Sequence, residues 1–151
     1  MPNEKLLSLA KDLSKEAPRS PRVKLGGFVV AARTLDKCRA KLAGTLGEYH
    51  FDCPLDRIWF HSANLSSVEF MEYVETGATD EELAAWIEKE TENMSQAAKV
   101  QWNNDMRYKR INEMPEPLQL FLEGYIDRYV APTGKLVTYW FDVYDIEEGR
   151  I

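Results

Sequence analysis

The chain is poor in the residues that staple or metallate small proteins: only Cys38 and Cys53, and only His50 and His61, occur among its 151 residues. Two thiols cannot form a disulfide framework, so both are expected to be reduced, as in a bacterial cytoplasm. Together the four residues run C-x11-H-x2-C-x7-H, which lacks the closely paired ligands of structural zinc sites, and no metal or other cofactor is expected. Long apolar runs are missing too. No segment approaches the roughly 20 apolar residues needed to cross a bilayer. The first residues, MPNEKLLSLAKDLSKEA, lack the apolar core of a secretory signal, so a cytoplasmic protein is expected. There are no internal repeats, low-complexity tracts or clear linkers, and the length suits a single domain over residues 1–151.

What is present suits a packed core. The composition is 44% hydrophobic and 29% charged, with four Trp, seven Tyr and six Phe, enough bulk to fold without staples. The net charge of −6 hides an asymmetry: residues 1–44 carry ten Lys/Arg against four Asp/Glu, the remainder nine against twenty-one. An acidic chain is poorly suited to coating nucleic acid or anionic membranes. The basic third is expected to face the acidic remainder, with an external anion as the alternative.

Helix signals dominate, and the expected fold is all-α (mainly α). It is a single compact multi-helix domain, with a short extended segment near the C-terminus as the one alternative. Residues 4–16 place Leu6, Leu9, Ala10 and Leu13 at helical spacing. Pro18 and Pro21 break that pattern. A principal helix is read from Phe28 to Ala43, closed by Gly44. Pro54 suits the first position of the next helix, to about His61, with Asp56 in its first turn. Ser66-x-x-Glu69 and Thr79-x-x-Glu82 match the capping box and start two helices separated by Gly77. Ser95 is the cap of a helix to about Ile111, and the MPEP double proline opens another, ended by Pro132-Thr133-Gly134. In the tail, LVTYWFDVYDIEEGRI, helix is favoured over strand because no second strand is available to pair with it. Thr138 is its expected cap, and Gly149 its end.

Three features raise chemistry. On a helical wheel Arg39 falls among Phe28, Ala32, Leu35 and Leu42, while Arg33, Lys37 and Lys41 fall on the opposite, solvated face. An inward guanidinium requires a partner. Asp36, Glu48, Asp52 and Asp56 are the candidates for a structural tie, a ligand carboxylate or phosphate the alternative. Gly26-Gly27, after Arg19, Ser20, Arg22 and Lys24, precedes the same helix, and a glycine-rich helix start exposes N–H groups to anions. A tight turn against a neighbouring helix is the plainer reading. Cys53, at the start of the Pro54 helix, is the candidate nucleophile, set against a buried or capping thiol.

The segments PRSP, LGG, ARTLDKCRAKLAGTLGEYHFDCPLD, WNNDM, PEPLQLFLEGYI and WFDVYDIEEGR together resemble a bacterial family known as domain of unknown function 5069. The resemblance covers most of the chain and includes Arg19, Ser20, Gly26, Gly27, Arg33, Asp36, Lys37, Arg39, Gly47, Glu48, Tyr49, Cys53, Pro54 and Asp56. It implies no activity, so no catalytic role is carried over. The functional expectation is a cytoplasmic, non-catalytic protein binding a small anionic ligand or a protein partner, with no nucleic acid and no membrane. Its candidate ligand-binding residues are Arg19, Ser20, Arg22, Gly26, Gly27, Arg39, Glu48 and Asp56. The alternatives are an enzyme using Cys53, with Arg39 or the Gly26-Gly27 helix start holding an anionic substrate, and a purely structural interaction module built on an exposed apolar patch.

Overall fold

The computed structural model describes residues 3–151. Among these, eight α-helices follow one another with no β-strand: α1 (Glu4–Leu9), α2 (Ala31–Ala43), α3 (Pro54–Ser62), α4 (Ser67–Glu75), α5 (Asp80–Glu90), α6 (Gln96–Arg107), α7 (Glu116–Tyr125) and α8 (Trp140–Glu147). The chain divides into two compact units, one ending at Val100 and one beginning at Gln101, inside α6. No helix among the described residues is long and apolar enough to cross a membrane.

In the first unit α2 is the central element, contacting α1, α3 and α4. All ten residues from Ala31 to Ala40 are buried. Around it pack aromatic rings from α3, α4 and α5. Trp59 meets Phe70 edge-on at 5.8 Å, and Phe70 meets Trp86 at 5.9 Å. Such tilted pairs add about 0.5–1.5 kcal/mol each beyond the area they bury.

Local hydrogen bonding explains the helix limits. The Thr79 and Glu82 side chains form the expected reciprocal capping box on α5, and Ser66 accepts from the Glu69 amide at the start of α4. Gly44 ends α2 in the left-handed conformation, and Pro54 opens α3. The first helix is shorter than its apolar pattern, ending at Leu9 rather than residue 16. Beyond it the Asp12 carboxylate accepts from the Ser14 amide at 3.0 Å, a turn that competes with helix. The Leu13 amide leaves to bond Thr45 O at 2.8 Å. Gly47 makes this approach possible: a Cβ there would lie 2.8 Å from Leu13 O, and its φ is +61°.

Similarly, α2 starts at Ala31 rather than Phe28. Leu25 and Phe28 exchange backbone hydrogen bonds of 2.9 and 3.2 Å across Gly26-Gly27, and the Val30 amide bonds Pro21 O at 2.8 Å. Val30 itself has φ +76°, a rare conformation for a β-branched residue that cannot continue a helix.

In the second unit α6 ends at Arg107, so Ile111 opens a separate 3-10 turn instead of closing that helix. From α7 the backbone widens into a π-helix over Ile126–Val130, tightens to a 3-10 turn over Ala131–Thr133, and stops at Gly134, φ +72°. The tail is helix α8, capped at Tyr139 rather than Thr138. The Asp142 carboxylate accepts from both the Thr138 and Tyr139 amides, at 2.9 and 2.8 Å. Val143 and Ile146 of α8 pack with Val130, flanked by Ile111, Tyr125, Ile126 and Val137.

This cluster makes α8 integral to the second unit. Ile146→Ala is expected to cost about 2–5 kcal/mol through lost burial and a residual cavity. Differential scanning calorimetry should show a lowered melting temperature. Deleting residues 136–151 should cause aggregation; a soluble deletion mutant with wild-type melting would contradict the packing.

Candidate functional site

Arg39 lies where the helical pattern places it, on the inner side of α2 with 4% exposure. Its partner, however, is none of Asp36, Glu48, Asp52 and Asp56. Nη1 donates to Asp80 Oδ1 at 2.9 Å and Nη2 to Ala78 O at 3.0 Å. Asp80 is the first residue of α5, where a carboxylate also complements the helix dipole. Its second oxygen accepts from Arg19 Nη1 at 2.8 Å. Arg19 in turn clamps Asp36 through Nε and Nη2 at 3.1 and 2.9 Å, with its backbone amide adding a bond of 2.8 Å. Two arginines and two aspartates thus join the 19–20 segment, α2 and α5.

This network forms one wall of an open cleft of about 420 Å³. Lys11, Arg19 and Arg39 face Asp36, Asp80 and Glu81 there, with Leu9 and Thr79 completing the lining. The sequence does not single out Lys11, because the apolar spacing of residues 4–16 places it on an ordinary helix, whereas α1 ends at Leu9. Its ammonium lies 3.6 Å from Asp36 and 3.9 Å from Glu16, beyond hydrogen-bonding distance of either. The Arg39 Nε–H is buried and has no hydrogen-bond partner among the described residues.

The charges in this network reinforce one another. Burial alone would raise the Asp80 carboxyl, but Arg19 and then Arg39 outweigh it and hold the group below 3.8. Burial likewise disfavours the Arg19 cation, and Asp36 followed by Asp80 more than compensates.

A second polar cluster lies on α2 and α3. Asp56 is fully buried, and its carboxylate accepts from Thr34 Oγ1 at 2.6 Å and the Asp52 amide at 3.0 Å, and pairs with Lys37 Nζ at 2.9 Å. Lys37 also donates to Cys53 Sγ at 3.1 Å. Lys37 and Arg33 are therefore not on a solvated face: they are 3% and 2% exposed, because α2 is covered on every side over this stretch. Only Lys41 of that expected face is exposed. Cys53 is the partly exposed N-cap residue of α3. Cys38 is buried, and burial together with the nearby Asp56 charge pushes its thiol well above the ordinary range.

The other sequence candidates are dispersed. Ser20 is buried and its Oγ accepts from the Arg22 amide at 3.1 Å. Gly26 and Gly27 form a turn that precedes α2 rather than its first turn. A Cβ on Gly26 would lie 2.7 Å from Ile87 and 3.2 Å from Ala84 O, so the turn packs directly on α5. Glu48 and His50 are exposed. Among the described residues no three His, Cys, Asp or Glu side chains gather as a metal-ligand set.

Comparison with known families bears out the resemblance read from the segments: a family model described as a domain of unknown function (DUF5069) matches residues 15–150. No curated protein matches the chain.

The tie through Arg39 has a measurable consequence. Arg39→Ala should cost about 2–3 kcal/mol, below the 3–5 of a fully buried pair, because Asp80 is partly exposed and retains Arg19. Arg39→Lys should recover little, since one ammonium cannot span both Asp80 and Ala78 O. Chemical denaturation of the three proteins tests this, and full recovery by lysine would argue against the fork geometry.

Acid should dissolve the same tie. Arg19 and Arg39 hold the folded Asp80 carboxyl below the ordinary carboxylate range, so its contribution is present above that range and is lost as pH falls through the depressed value. The melting temperatures of wild type and Asp80→Asn should therefore differ at neutral pH and converge on acidification. A constant gap would assign the Asp80 effect to packing alone.

Proposed function

The chain belongs to the DUF5069 family, whose description assigns no activity, and we propose from the site itself that the protein is a non-catalytic binding module for a small ligand bearing a carboxylate or phosphate. The observation that carries this reading is the meeting of Arg19, Arg39 and Lys11 on one open cleft. Lys11 is the available member, since its ammonium makes only long ion pairs, while Asp36 and Asp80 orient the arginines. Such a site holds a ligand by pre-positioned charge and charge-assisted hydrogen bonds. The proposed setting is a bacterial cytoplasm, in keeping with two unpaired thiols.

A second reading, an enzyme using Cys53, is favoured by one contact: the Lys37 ammonium on Sγ at the start of α3. Cys53 does not line the Arg19–Arg39 cleft, so the two readings concern different places. The interaction-module reading finds its exposed apolar residues outside α8. Trp140 and Phe141 are buried, whereas Leu120, Phe121 and Leu136 are 69%, 47% and 89% exposed.

Thermal shift decides the leading reading. Phosphate or a small carboxylate should raise the wild-type melting temperature, by an amount equivalent to about 2.7 kcal/mol at 100-fold excess over Kd. Lys11→Met should lose that response while melting normally without ligand, because Lys11 is partly exposed and only loosely paired. No response to any anion would remove the reading. Native alkylation of Cys53 far faster than a free thiol, slowed by Lys37→Met, would move the assignment to the thiol enzyme.

A further inference from the structure

We infer that the ligand of the Arg19–Arg39 cleft is a zwitterion, an amino-carboxylate or amino-phosphate, in which the anionic end meets Lys11 and the cationic end meets Glu81. This deepens the reading above and rests on it. Charge balance supplies the first argument. Three cations, Lys11, Arg19 and Arg39, face three carboxylates, Asp36, Asp80 and Glu81. A bare anion drawn to Lys11 would enter against Glu81 and the exposed part of Asp80, with like-charge repulsion opposing its attraction. A ligand carrying both signs meets complementary charge at each end.

The hydrogen-bond inventory supplies the second argument. Asp36 spends both oxygens on Arg19. Asp80 gives one oxygen to Arg39 and the other to Arg19. What stays unspent has both signs. The Lys11 ammonium has no hydrogen-bonded acceptor among the described residues, and its ion pairs to Asp36 and Glu16 are long. The exposed Glu81 carboxylate makes no hydrogen bond or ion pair with the described residues. An ammonium has donors and no acceptor, an ionised carboxylate acceptors and no donor. The cleft thus offers donors for an anionic group and acceptors for an ammonium.

The test uses the full chain and three kinds of probe. Zwitterions of increasing length (glycine, β-alanine, γ-aminobutyrate) are compared with acetate and phosphate, and with ethylamine, by thermal shift and titration calorimetry. At least one zwitterion should bind tenfold or more tightly than acetate, phosphate or ethylamine. Glu81→Gln should weaken that zwitterion about tenfold and, by removing a like charge, strengthen the phosphate response. Lys11→Met should weaken both; Lys11 is partly exposed and Glu81 exposed, and circular dichroism verifies that each variant folds. Equal binding of zwitterions and simple anions, with Glu81→Gln silent, would overturn the inference and leave anion binding standing. No binding by any probe would overturn both.

Discussion

Burying charge on α2 is the constraint around which the first unit is arranged. Arg33, Asp36, Lys37 and Arg39 lie on a helix whose residues 31–40 are all buried. An ionised group removed from water without a partner costs several kcal/mol, more than most single contacts return. Asp36 and Arg39 therefore require the 19–20 segment and the first turn of α5. Lys37 requires Asp56 on α3. These pairs act over short distances and in fixed directions, so they specify which segments surround α2, while the aromatic rings supply the non-directional cohesion.

The parts legible in the sequence are those whose cause is local. A capping box, a proline at a first turn and a glycine after a last turn each report on a few adjacent residues, and Thr79–Glu82, Pro54 and Gly44 behave accordingly. The tail forms α8 because Asp142 satisfies two amides at its start and its apolar residues meet Val130. The misread boundaries have local causes of another kind. Asp12 and the Leu25–Phe28 pairing offer the backbone alternatives to helix that apolar spacing does not register.

Partner choice was the part that spacing could not carry. The wheel placed Arg39 inward correctly, yet its partner is 41 residues away and already had a sufficient role as a first-turn acid of α5. The helical wheel puts Lys37 and Arg33 in water only by the rule of one apolar face and one wet face. The rule fails for a helix enclosed on all sides, where charge no longer indicates exposure. Their burial was foreshadowed only by the abundance of acids after residue 44, which gives the sign of the partners but not their positions.

Under the proposed binding function, the same pairing separates scaffold from specificity within one cleft. Arg39, Arg19, Asp36 and Asp80 satisfy one another and hold three segments together, so changing any of them disturbs the fold before it disturbs recognition. Lys11 and Glu81 carry no such duty: one makes only long ion pairs, and the other is exposed. Lys11 also lies outside the matched residues 15–150. Under the proposed binding function, such a cleft would change its ligand by altering two peripheral side chains, while the buried network keeps the walls where they are. Under the proposed function, Arg19 and Arg39 are the frame of the site, and its selectivity belongs to Lys11 and Glu81 at the rim.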